Sequence, residues 1–405
     1  MRRLSLHTTQ LEFLTIIHPY TLYTMRAIII TYGLILAFTQ VALAQSDAVL
    51  KAIDHYNTAV EALNTNDNTT AITELSAAIA LDGKFHKAIY QRGLTYIQEQ
   101  KYHEGIKDLT SYLEIKPEES EALYYKGYAE MQSKQNAAAI KSLTASLALD
   151  DTQEKAYYYR GYLLILEENY DGAIGDMDLA LANGYKTDKL WKYKAMCHYK
   201  LQEYPSAAMA YDRYLENNPT DTKSMLTRSL ALYKMEDYEA FIPQIQSYLS
   251  KEQGTRDNYY TLATAHLKLE QYREAGQAYE KVITIDPTYV PALKNAMFVA
   301  SKQGDKTNLL RDYDRLIAAE GSQSEYYYKR AILLMQQEDW TRAESDLTTC
   351  IANNPDHAEA YFNRASIYTT TKQYAEGCAD MRKAASLGME SAYEYIPGLC
   401  KAAGN

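Results

Sequence analysis

The chain has 405 residues, of which 47% are hydrophobic and 23% are charged. This is the composition of a folded protein that is long enough to bury a large core. Asp and Glu outnumber Lys and Arg by 52 to 42, which gives a formal net charge of -10. A negative charge argues against a general binder of nucleic acid or of anionic membranes, because both require excess positive charge. We therefore expect partners that are proteins or neutral ligands.

The first predicted element is a secretory signal peptide at residues 25–44. It combines a basic start, an apolar run and a small-x-small ending at Ala44, which is the layout of such a peptide. We expect cleavage after Ala44, a periplasmic or secreted mature chain, and no membrane insertion beyond the signal peptide. The alternative is an uncleaved anchor, but the apolar run is shorter than the roughly 20 residues that a spanning helix needs. We interpret residues 1–24 as an extended translation start.

The rest of the chain repeats with a period of 34 residues. One position marks the phase and is usually small, at Ala59, Gly93, Gly127, Gly161, Ala195, Ser229, Ala263, Met297, Ala331 and Ala365. Such self-similarity is typical of stacked helical units. We predict ten units, repeats 1 to 10, at residues 52–85, 86–119, 120–153, 154–187, 188–221, 222–255, 256–289, 290–323, 324–357 and 358–391. Residues 392–405 are predicted to form a capping helix and tail.

Each repeat carries the pattern of two closely packed helices. Twelve residues after the first small position, a second small residue opens the second helix, at Ala71, Gly105, Ala139, Ala173, Ala207, Ala275, Ala343 and Gly377. In most repeats an aromatic ring precedes this residue by three positions and an apolar residue follows it by four, the spacing of one buried helix face. A proline closes four repeats, at Pro117, Pro219, Pro287 and Pro355.

The period, the alternation of aromatic and small residues and the closing proline resemble the tetratricopeptide-repeat family. The resemblance covers nearly all of the predicted mature chain. It implies an all-α fold, a right-handed superhelical solenoid of about ten helix-turn-helix repeats with a C-terminal capping helix. It also implies a concave groove, built from the first helices, that holds an extended peptide or a helix of a partner.

Two repeats depart from the pattern. Repeat 6 has Phe241 at the second small position and Pro243 two residues later, and repeat 8 has Leu309 at the small position and Lys306 at the ring position. A proline inside a helix removes a hydrogen bond and bends the axis. We expect looser packing at both places and a kink or altered curvature between about residues 238 and 312.

A basic residue recurs directly before the first small position. Sixteen residues later the arginines meet a carboxylate, as Arg92 with Asp108, Arg160 with Asp176, Arg330 with Asp346 and Arg364 with Asp380. Repeats with Lys126 and Lys194 have Ser142 and Ala210 instead, and Arg228, which faces Gln244, is the exception. This covariation predicts an ion pair between the two helices of one repeat rather than a stripe for binding a ligand.

Two sets of residues are predicted to face the groove and bind a partner. The first set occupies the positions three residues before and one residue after the small residue, and its candidates are Tyr90, Tyr124, Tyr128, Tyr158, Tyr162, Lys192, Tyr260 and Tyr328. Tyrosine offers a large contact area at a low entropic cost, although the rings could instead pack between neighbouring repeats. The second set is a column of lysines that could hold an acidic peptide or simply be solvated, at Lys200, Lys234, Lys268 and Lys302.

The remaining chemistry-bearing residues favour structural roles. Cys378 and Cys400 lie on consecutive predicted helices, and in an oxidising compartment we expect a disulfide between them, with reduced, buried thiols as the alternative. No pair of cysteines has metal-ligand spacing, and His198 and His266 are interpreted as core residues. The sequence contains no phosphate-binding loop, HExxH motif or nucleophile elbow. We therefore expect no enzymatic activity, no cofactor and no metal.

These features favour a protein-interaction scaffold of the bacterial cell envelope that binds a partner segment in a tyrosine-lined groove. One alternative is a structural subunit of an outer-membrane assembly or secretion complex, which would engage partners through its convex faces and ends. Another is carbohydrate binding on the aromatic wall, although the presence of only 2 tryptophans weakens it.

Overall fold

The computed structural model of the chain describes residues 19–321 and 323–404, and every secondary-structure element in them is an α-helix. This confirms the all-α fold. Helix α1 (Pro19–Asn64) continues through the predicted cleavage position at Ala44, and its last turns form the first helix of repeat 1. The part of the predicted leader before residue 19 lies outside the described residues.

The other helices alternate with short turns. They are α2 (Asn68–Leu81), α3 (His86–Gln98), α4 (Tyr102–Ile115), α5 (Ser120–Gln132), α6 (Asn136–Leu149), α7 (Glu154–Leu166), α8 (Tyr170–Ala182), α9 (Asp188–Lys200), α10 (Tyr204–Asn217), α11 (Thr222–Lys234), α12 (Tyr238–Leu249), α13 (Arg256–Lys268), α14 (Tyr272–Ile285), α15 (Val290–Gln303), α16 (Lys306–Glu320), α17 (Ser324–Met335), α18 (Trp340–Asn353), α19 (Ala358–Thr370), α20 (Tyr374–Ser386) and α21 (Ala392–Ala402).

Among the described residues, none of these helices is both long enough and apolar enough to span a membrane.

The helices follow the 34-residue period from beginning to end. From α3 to α19, each first helix begins at the residue predicted as the start of its repeat, and from α2 to α20 the second helices begin at the same interval. The chain packs as two compact units, the N-terminal unit, which ends at Leu190, and the C-terminal unit, which begins at Trp191.

The small residues mark the points where the two helices of a repeat approach closely. A Cβ atom added to Gly127 would lie 2.8 Å from Leu143 Cγ, and one added to Gly161 would lie 3.0 Å from Met177 Cε. Leu143 and Met177 are fully buried, so these contacts belong to the interior of their repeats. Any larger residue at either position would force the helices apart.

The turn between the two helices of a repeat contains one residue with a left-handed backbone. It lies two residues before the second helix and is not glycine in nine repeats, at Asn66, Gln100, Lys134, Glu168, Gln202, Glu236, Glu270, Glu338 and Lys372, with φ between 56° and 63°. Repeat 8 has Gly304 there, with φ 69°. The turn closes with the hydrogen-bond pattern of a Schellman motif, such as Asn169 N to Leu164 O at 2.9 Å.

The two irregular repeats behave differently from each other. The prediction of looser packing at Phe241 is wrong, because the Phe241 ring is fully buried and lies 5.2 Å from the ring of Tyr233. The helix α12 accommodates Pro243 in its interior and spans 12 residues. In repeat 8 an open cleft of about 410 Å³ lies between α14, α15 and α16. The change of curvature stays a prediction.

The chain after repeat 10 forms the predicted capping helix, α21. Pro397 lies inside this helix without ending it. Ala392, Leu399 and Cys400 are buried against repeat 10, so α21 covers an apolar surface that the last repeat would otherwise expose. Capping of this kind is what a stacked array requires at its ends.

Candidate protein-binding groove

The recurring arginines form the predicted ion pairs within their repeats. In repeat 4, Arg160 donates two hydrogen bonds to Asp176, from Nε to Oδ2 at 2.8 Å and from Nη2 to Oδ1 at 2.7 Å. The same fork joins Arg92 to Asp108, Arg330 to Asp346 and Arg364 to Asp380. These four pairs confirm the structural interpretation of the basic stripe.

The guanidinium groups also reach the second helix of the preceding repeat, which the sequence analysis missed. Arg160 donates to Thr144, sixteen residues earlier, at 3.3 Å. Equivalent bonds join Arg92 to Ser76, Arg330 to Asp314 and Arg364 to Thr348. Each arginine therefore links three helices and holds successive repeats together.

Two repeats without this pair make other polar contacts at the same place. Arg228 does not pair with its own second helix but with Asp212 of the preceding repeat, at 2.5 Å. In repeat 3, the buried carboxylate of Glu130 takes the place of the missing aspartate. It accepts a hydrogen bond from Ser142 at 2.7 Å and lies 3.2 Å from Lys126 Nζ.

In the N-terminal unit, the tyrosines of repeats 3 and 4 form a continuous ring cluster. The ring of Tyr159 lies 6.3 Å from Tyr124 and 5.2 Å from Tyr128, and the ring of Tyr125 lies 5.0 Å from Tyr124. All four residues are only partly buried, so part of each ring remains accessible. Tyr125 and Tyr159 were not among the predicted residues, although each directly follows one of them. Tyr162 is also partly exposed, one turn beyond this cluster.

Two predicted tyrosines of this unit pack into the protein instead. Tyr158 is 8% exposed, and its ring lies 4.8 Å from that of Tyr185. The ring of Tyr90 lies 4.9 Å from Tyr112. For these two rings the structure favours packing within the repeats over contact with a partner.

An acidic rim borders the ring cluster. A cleft of about 460 Å³ is lined by Tyr124 and Tyr125 together with Glu119, Glu121, Asp150, Glu154 and Lys155. Burial strongly raises the pKa of Tyr124, and the pKa of Tyr125 is also raised by burial and by Glu121. Both hydroxyls therefore keep their protons at neutral pH and can donate hydrogen bonds to a ligand.

In the C-terminal unit, the predicted groove residues are more strongly engaged with the protein. Lys192 forms an ion pair with Asp221 at 2.6 Å and lies 5.2 Å above the ring of Tyr214. The hydroxyls of Tyr260 and Tyr328 each accept a hydrogen bond from an asparagine of the next repeat, at 3.3 and 3.2 Å. These contacts fix the side chains in place and leave part of each ring exposed.

The four lysines of the predicted column are all exposed. Lys200, Lys234 and Lys268 are the last residues of α9, α11 and α13, and Lys302 lies next to the end of α15, 5.4 Å above the ring of Phe298. A cation at a helix C-terminus is stabilised by the helix dipole. Repeats 2 and 10 end the same helix with uncharged residues, so the dipole does not by itself demand lysine.

The C-terminal end of the chain holds a more apolar pocket of about 530 Å³. It lies between α19, α20 and α21, and Phe362, Tyr374, Tyr395 and Leu399 contribute to its walls. A disulfide between Cys378 and Cys400, with Cα atoms 5.0 Å apart, joins α20 to α21 in the structure. It fastens the helix that forms one wall of the pocket.

The other two cysteines are buried thiols. Burial raises the pKa of Cys197 to about 12 and that of Cys350 to about 11, so neither is a reactive thiolate at neutral pH. His266 is buried and its Nδ1 lies 2.6 Å from Gln271 Oε1, whereas His198 is half-buried and its Nδ1 lies 2.6 Å from Glu203 Oε2. Within the described residues, His, Cys, Asp and Glu do not form a group of three that could hold a metal ion.

Paired helices that recur every 34 residues, close contacts between them at the glycines of the first helices and aromatic residues along those helices define a helical-repeat protein. Family models for the tetratricopeptide repeat match residues 90–154, 160–222, 257–289 and 328–392, more than half of the chain. The chain belongs to the tetratricopeptide-repeat family. The matches leave out repeat 1. They also leave out nearly all of the two irregular repeats, which are repeats 6 and 8.

Solved structures resemble the chain in their fold. A tetratricopeptide repeat protein from Parabacteroides merdae is 15% identical, with a TM-score of 0.40, over 62% of this chain and 99% of that one. YrrB, described as having an unusual peptide-binding site, is 21% identical, with a TM-score of 0.41, over 46% of this chain and 96% of that one. A Naa15/Naa10 complex bound to HypK is 14% identical, with a TM-score of 0.44, over 85% and 64%. No curated protein sequence matches the chain.

Proposed function

We propose that the protein is an interaction scaffold of the bacterial cell envelope and that the ring cluster of repeats 3 and 4 binds a segment of a partner protein. Tetratricopeptide-repeat proteins are protein-interaction scaffolds as a family. The observation that carries the proposal for this chain is the group of partly exposed rings of Tyr124, Tyr125, Tyr128 and Tyr159. They lie on two consecutive first helices.

The physical argument depends on how the rings are held. Each ring contacts at least one other ring of the cluster, so little side-chain entropy remains to be lost when a partner binds. The exposed faces offer apolar area, and protonated hydroxyls can donate to backbone carbonyls of an extended segment. Rigid tyrosines of this kind concentrate binding energy at protein interfaces.

The proposed location rests on two features. Residues 25–44 have the layout of a signal peptide. The disulfide between Cys378 and Cys400 is the kind of bond that persists in an oxidising compartment. A direct measurement is the N-terminal sequence of the protein recovered from the periplasm, which we expect to begin at Gln45.

The binding site is tested by affinity capture from an envelope fraction. We expect a partner retained by the wild type to be lost in a variant with Tyr124, Tyr128 and Tyr159 changed to Ala, while Tyr393→Ala, at an exposed ring of the capping helix, retains it. Circular dichroism checks that all the proteins are folded. Retention of the partner by the triple variant would contradict the proposal and support assembly through other faces of the scaffold.

The same residues changed to Phe separate the two contributions. Tyr→Phe keeps the ring and removes only the hydroxyl, so partial loss of affinity indicates hydrogen bonds to the partner and full retention indicates ring contacts alone. Both outcomes keep the site, and they differ in which atoms of the partner are recognised.

A further inference from the structure

The cleft of about 460 Å³ beside the ring cluster, the acidic cleft, carries more negative than positive charge. Its lining includes one cation, Lys155, and four carboxylates, which belong to Glu119, Glu121, Asp150 and Glu154. None of the four carboxylates forms an ion pair with another residue that the structure describes. The acidic cleft therefore places uncompensated negative charge beside two aromatic rings, those of Tyr124 and Tyr125.

Asp150 lies at a position where another repeat binds an arginine of its own. The residue at the same position of repeat 7 is Asp286. Its Oδ1 accepts hydrogen bonds from Thr288 in the turn, and its Oδ2 accepts one from Arg256 Nη1 at 3.1 Å. The guanidinium of Arg256 also lies 4.3 Å above the ring of Tyr289. One carboxylate oxygen thus holds the turn, and the other binds a cation that rests on a ring.

Repeat 3 keeps this turn and lacks the arginine. Asp150 Oδ1 accepts hydrogen bonds from Thr152 N at 3.0 Å and from Thr152 Oγ1 at 2.7 Å, as in repeat 7. Ser120 occupies the position of Arg256. Asp150 Oδ2 is left with one long hydrogen bond, from Gln153 Nε2 at 3.4 Å. The place that a guanidinium fills in repeat 7 is therefore open to a cation from another molecule.

Repeat 8 supplies a cation to the same carboxylate position from one turn further along its first helix. Glu320 is the carboxylate there, and Lys294 Nζ lies 3.0 Å from its Oε1. The residue of repeat 3 at the position of Lys294 is Tyr124, whose ring lines the acidic cleft. Both positions of the first helix that provide a cation in repeats 7 and 8 are therefore uncharged in repeat 3.

We propose that the partner segment bound by the ring cluster is basic and that one of its arginine or lysine side chains enters the acidic cleft. The cation pairs with Asp150 Oδ2 and lies against the tyrosine rings, the combination of contacts that Arg256 makes in repeat 7. The glutamates of the lining attract the positive charge of the segment as it approaches. Within the described part of the chain the carboxylates do not form a group of three that could hold a metal ion, which favours an organic cation. This inference rests on the proposed function, because the cleft shares Tyr124 and Tyr125 with the ring cluster.

The test compares peptides that differ in a single charge. Three dye-labelled synthetic peptides share an extended apolar sequence with Arg, citrulline or Glu at its centre, and fluorescence anisotropy measures their binding to the purified protein. Citrulline keeps the shape of arginine without its charge. We expect the Arg peptide to bind about tenfold more tightly than the citrulline peptide, because it adds an exposed ion pair and a cation–π contact. The Glu peptide should bind most weakly, and raised salt should bring the affinity of the Arg peptide close to that of the citrulline peptide.

The decisive variant fills the acidic cleft with chemistry that the chain uses elsewhere. Ser120→Arg places an arginine where repeat 7 has one, so the Arg peptide should then bind no better than the citrulline peptide. Ser324→Arg is the matched control, because Ser324 also begins a first helix, α17, and its repeat has Asn354 at the carboxylate position. It should leave all binding unchanged. Glu119→Gln combined with Glu154→Gln removes charge without filling the cleft and should weaken the Arg peptide alone. Circular dichroism checks that each variant is folded.

The outcomes separate this inference from the proposed function. Equal binding of the Arg and citrulline peptides to the wild type, or binding of neither, overturns the inference, and so does an undiminished preference for the Arg peptide in folded Ser120→Arg. If the two peptides bind equally and the variant with Tyr124, Tyr128 and Tyr159 changed to Ala loses both, the ring cluster remains a binding site and only the basic partner is wrong. If the Arg peptide binds that variant as tightly as the wild type, both the inference and the proposed site are wrong.

Discussion

The ion pair between Arg160 and Asp176 is the clearest place to test how the repeats are held together. Changing Arg160 to Met keeps most of the aliphatic stem and removes the guanidinium. Asp176, which is 4% exposed, then loses both of its hydrogen bonds to arginine, and the contact with Thr144 of the preceding repeat is lost as well. The expected result is a large destabilisation of repeat 4.

The magnitude follows from the burial of the carboxylate. Removal of one partner from a buried pair costs about 3–5 kcal/mol, because the other charge is left uncompensated. The side chain of Arg160 keeps 20% of its surface in water, so we reduce this to about 2–4 kcal/mol. Asp176→Ala added to Arg160→Met should recover part of the loss, because no unpaired charge remains.

The assay must resolve individual repeats. A repeat array does not unfold as one two-state unit, so hydrogen exchange of α7 and α8 is the primary measurement and the thermal midpoint is the second. Arg213→Met, at a side chain that is 65% exposed, is the control for loss of an arginine at the surface. Its effect should stay within about 0.5 kcal/mol.

Two outcomes would refute the reasoning. If Arg160→Met is as mild as Arg213→Met, the guanidinium does not stabilise the carboxylate that it contacts. If the double variant is less stable than Arg160→Met alone, the penalty does not come from an uncompensated charge.

Three further predictions concern other elements. Glu168→Gly, at φ 58°, should stabilise repeat 4 by about 1 kcal/mol in thermal denaturation, whereas Glu167→Gly, at φ -90°, should not. Burial raises the pKa of Asp312 to about 6, so its contribution to stability is fully present below about pH 4 and is lost as the pH rises through 6. When urea titrations at pH 4 and pH 7 are compared, the wild type should therefore lose on the order of 1–2 kcal/mol more of its free energy of unfolding than the Asp312→Asn variant loses. Reduction of the disulfide should lower the stability of the C-terminal cap by about 3 kcal/mol and speed proteolysis of α21, and Cys400→Ser should not respond to the reductant; four free thiols in periplasmic protein would contradict this.

The sequence predicts the helices well because the repeat averages out local ambiguity. A single window of alternating aromatic and small residues is weak evidence, but ten copies in the same phase fix where each helix must begin. The ion pairs could be predicted for the same reason, since Arg and Asp change together from repeat to repeat. Covariation within one chain therefore reports a contact without any comparison with other proteins.

Side-chain exposure could not be predicted in this way. Tyr158 and Tyr159 are adjacent and chemically identical, but the first is buried against Tyr185 and the second contributes to the ring cluster. Which ring is buried depends on residues far away in the sequence, since Tyr185 lies at the end of the same repeat and Tyr159 contacts Tyr128 of the preceding repeat. The left-handed turn residues escaped detection for another reason, because nine of them are not glycine and so carry no signal of backbone conformation.

The two positions that hold the arginine and the aspartate are filled in different ways in the repeats that lack this pair. Repeat 7 has Leu262 and Ala278 there, both 7% exposed, and fills the space with apolar contacts. Repeats 5 and 8 have mismatched residues at these two positions, Lys194 with Ala210 and Ala296 with Asp312. Ala210 and Ala296 each line an open cleft. A matched pair, whether ionic or apolar, therefore fills the space between the two helices, and so does the buried Glu130 of repeat 3. In repeats 5 and 8 an open cleft remains beside these positions.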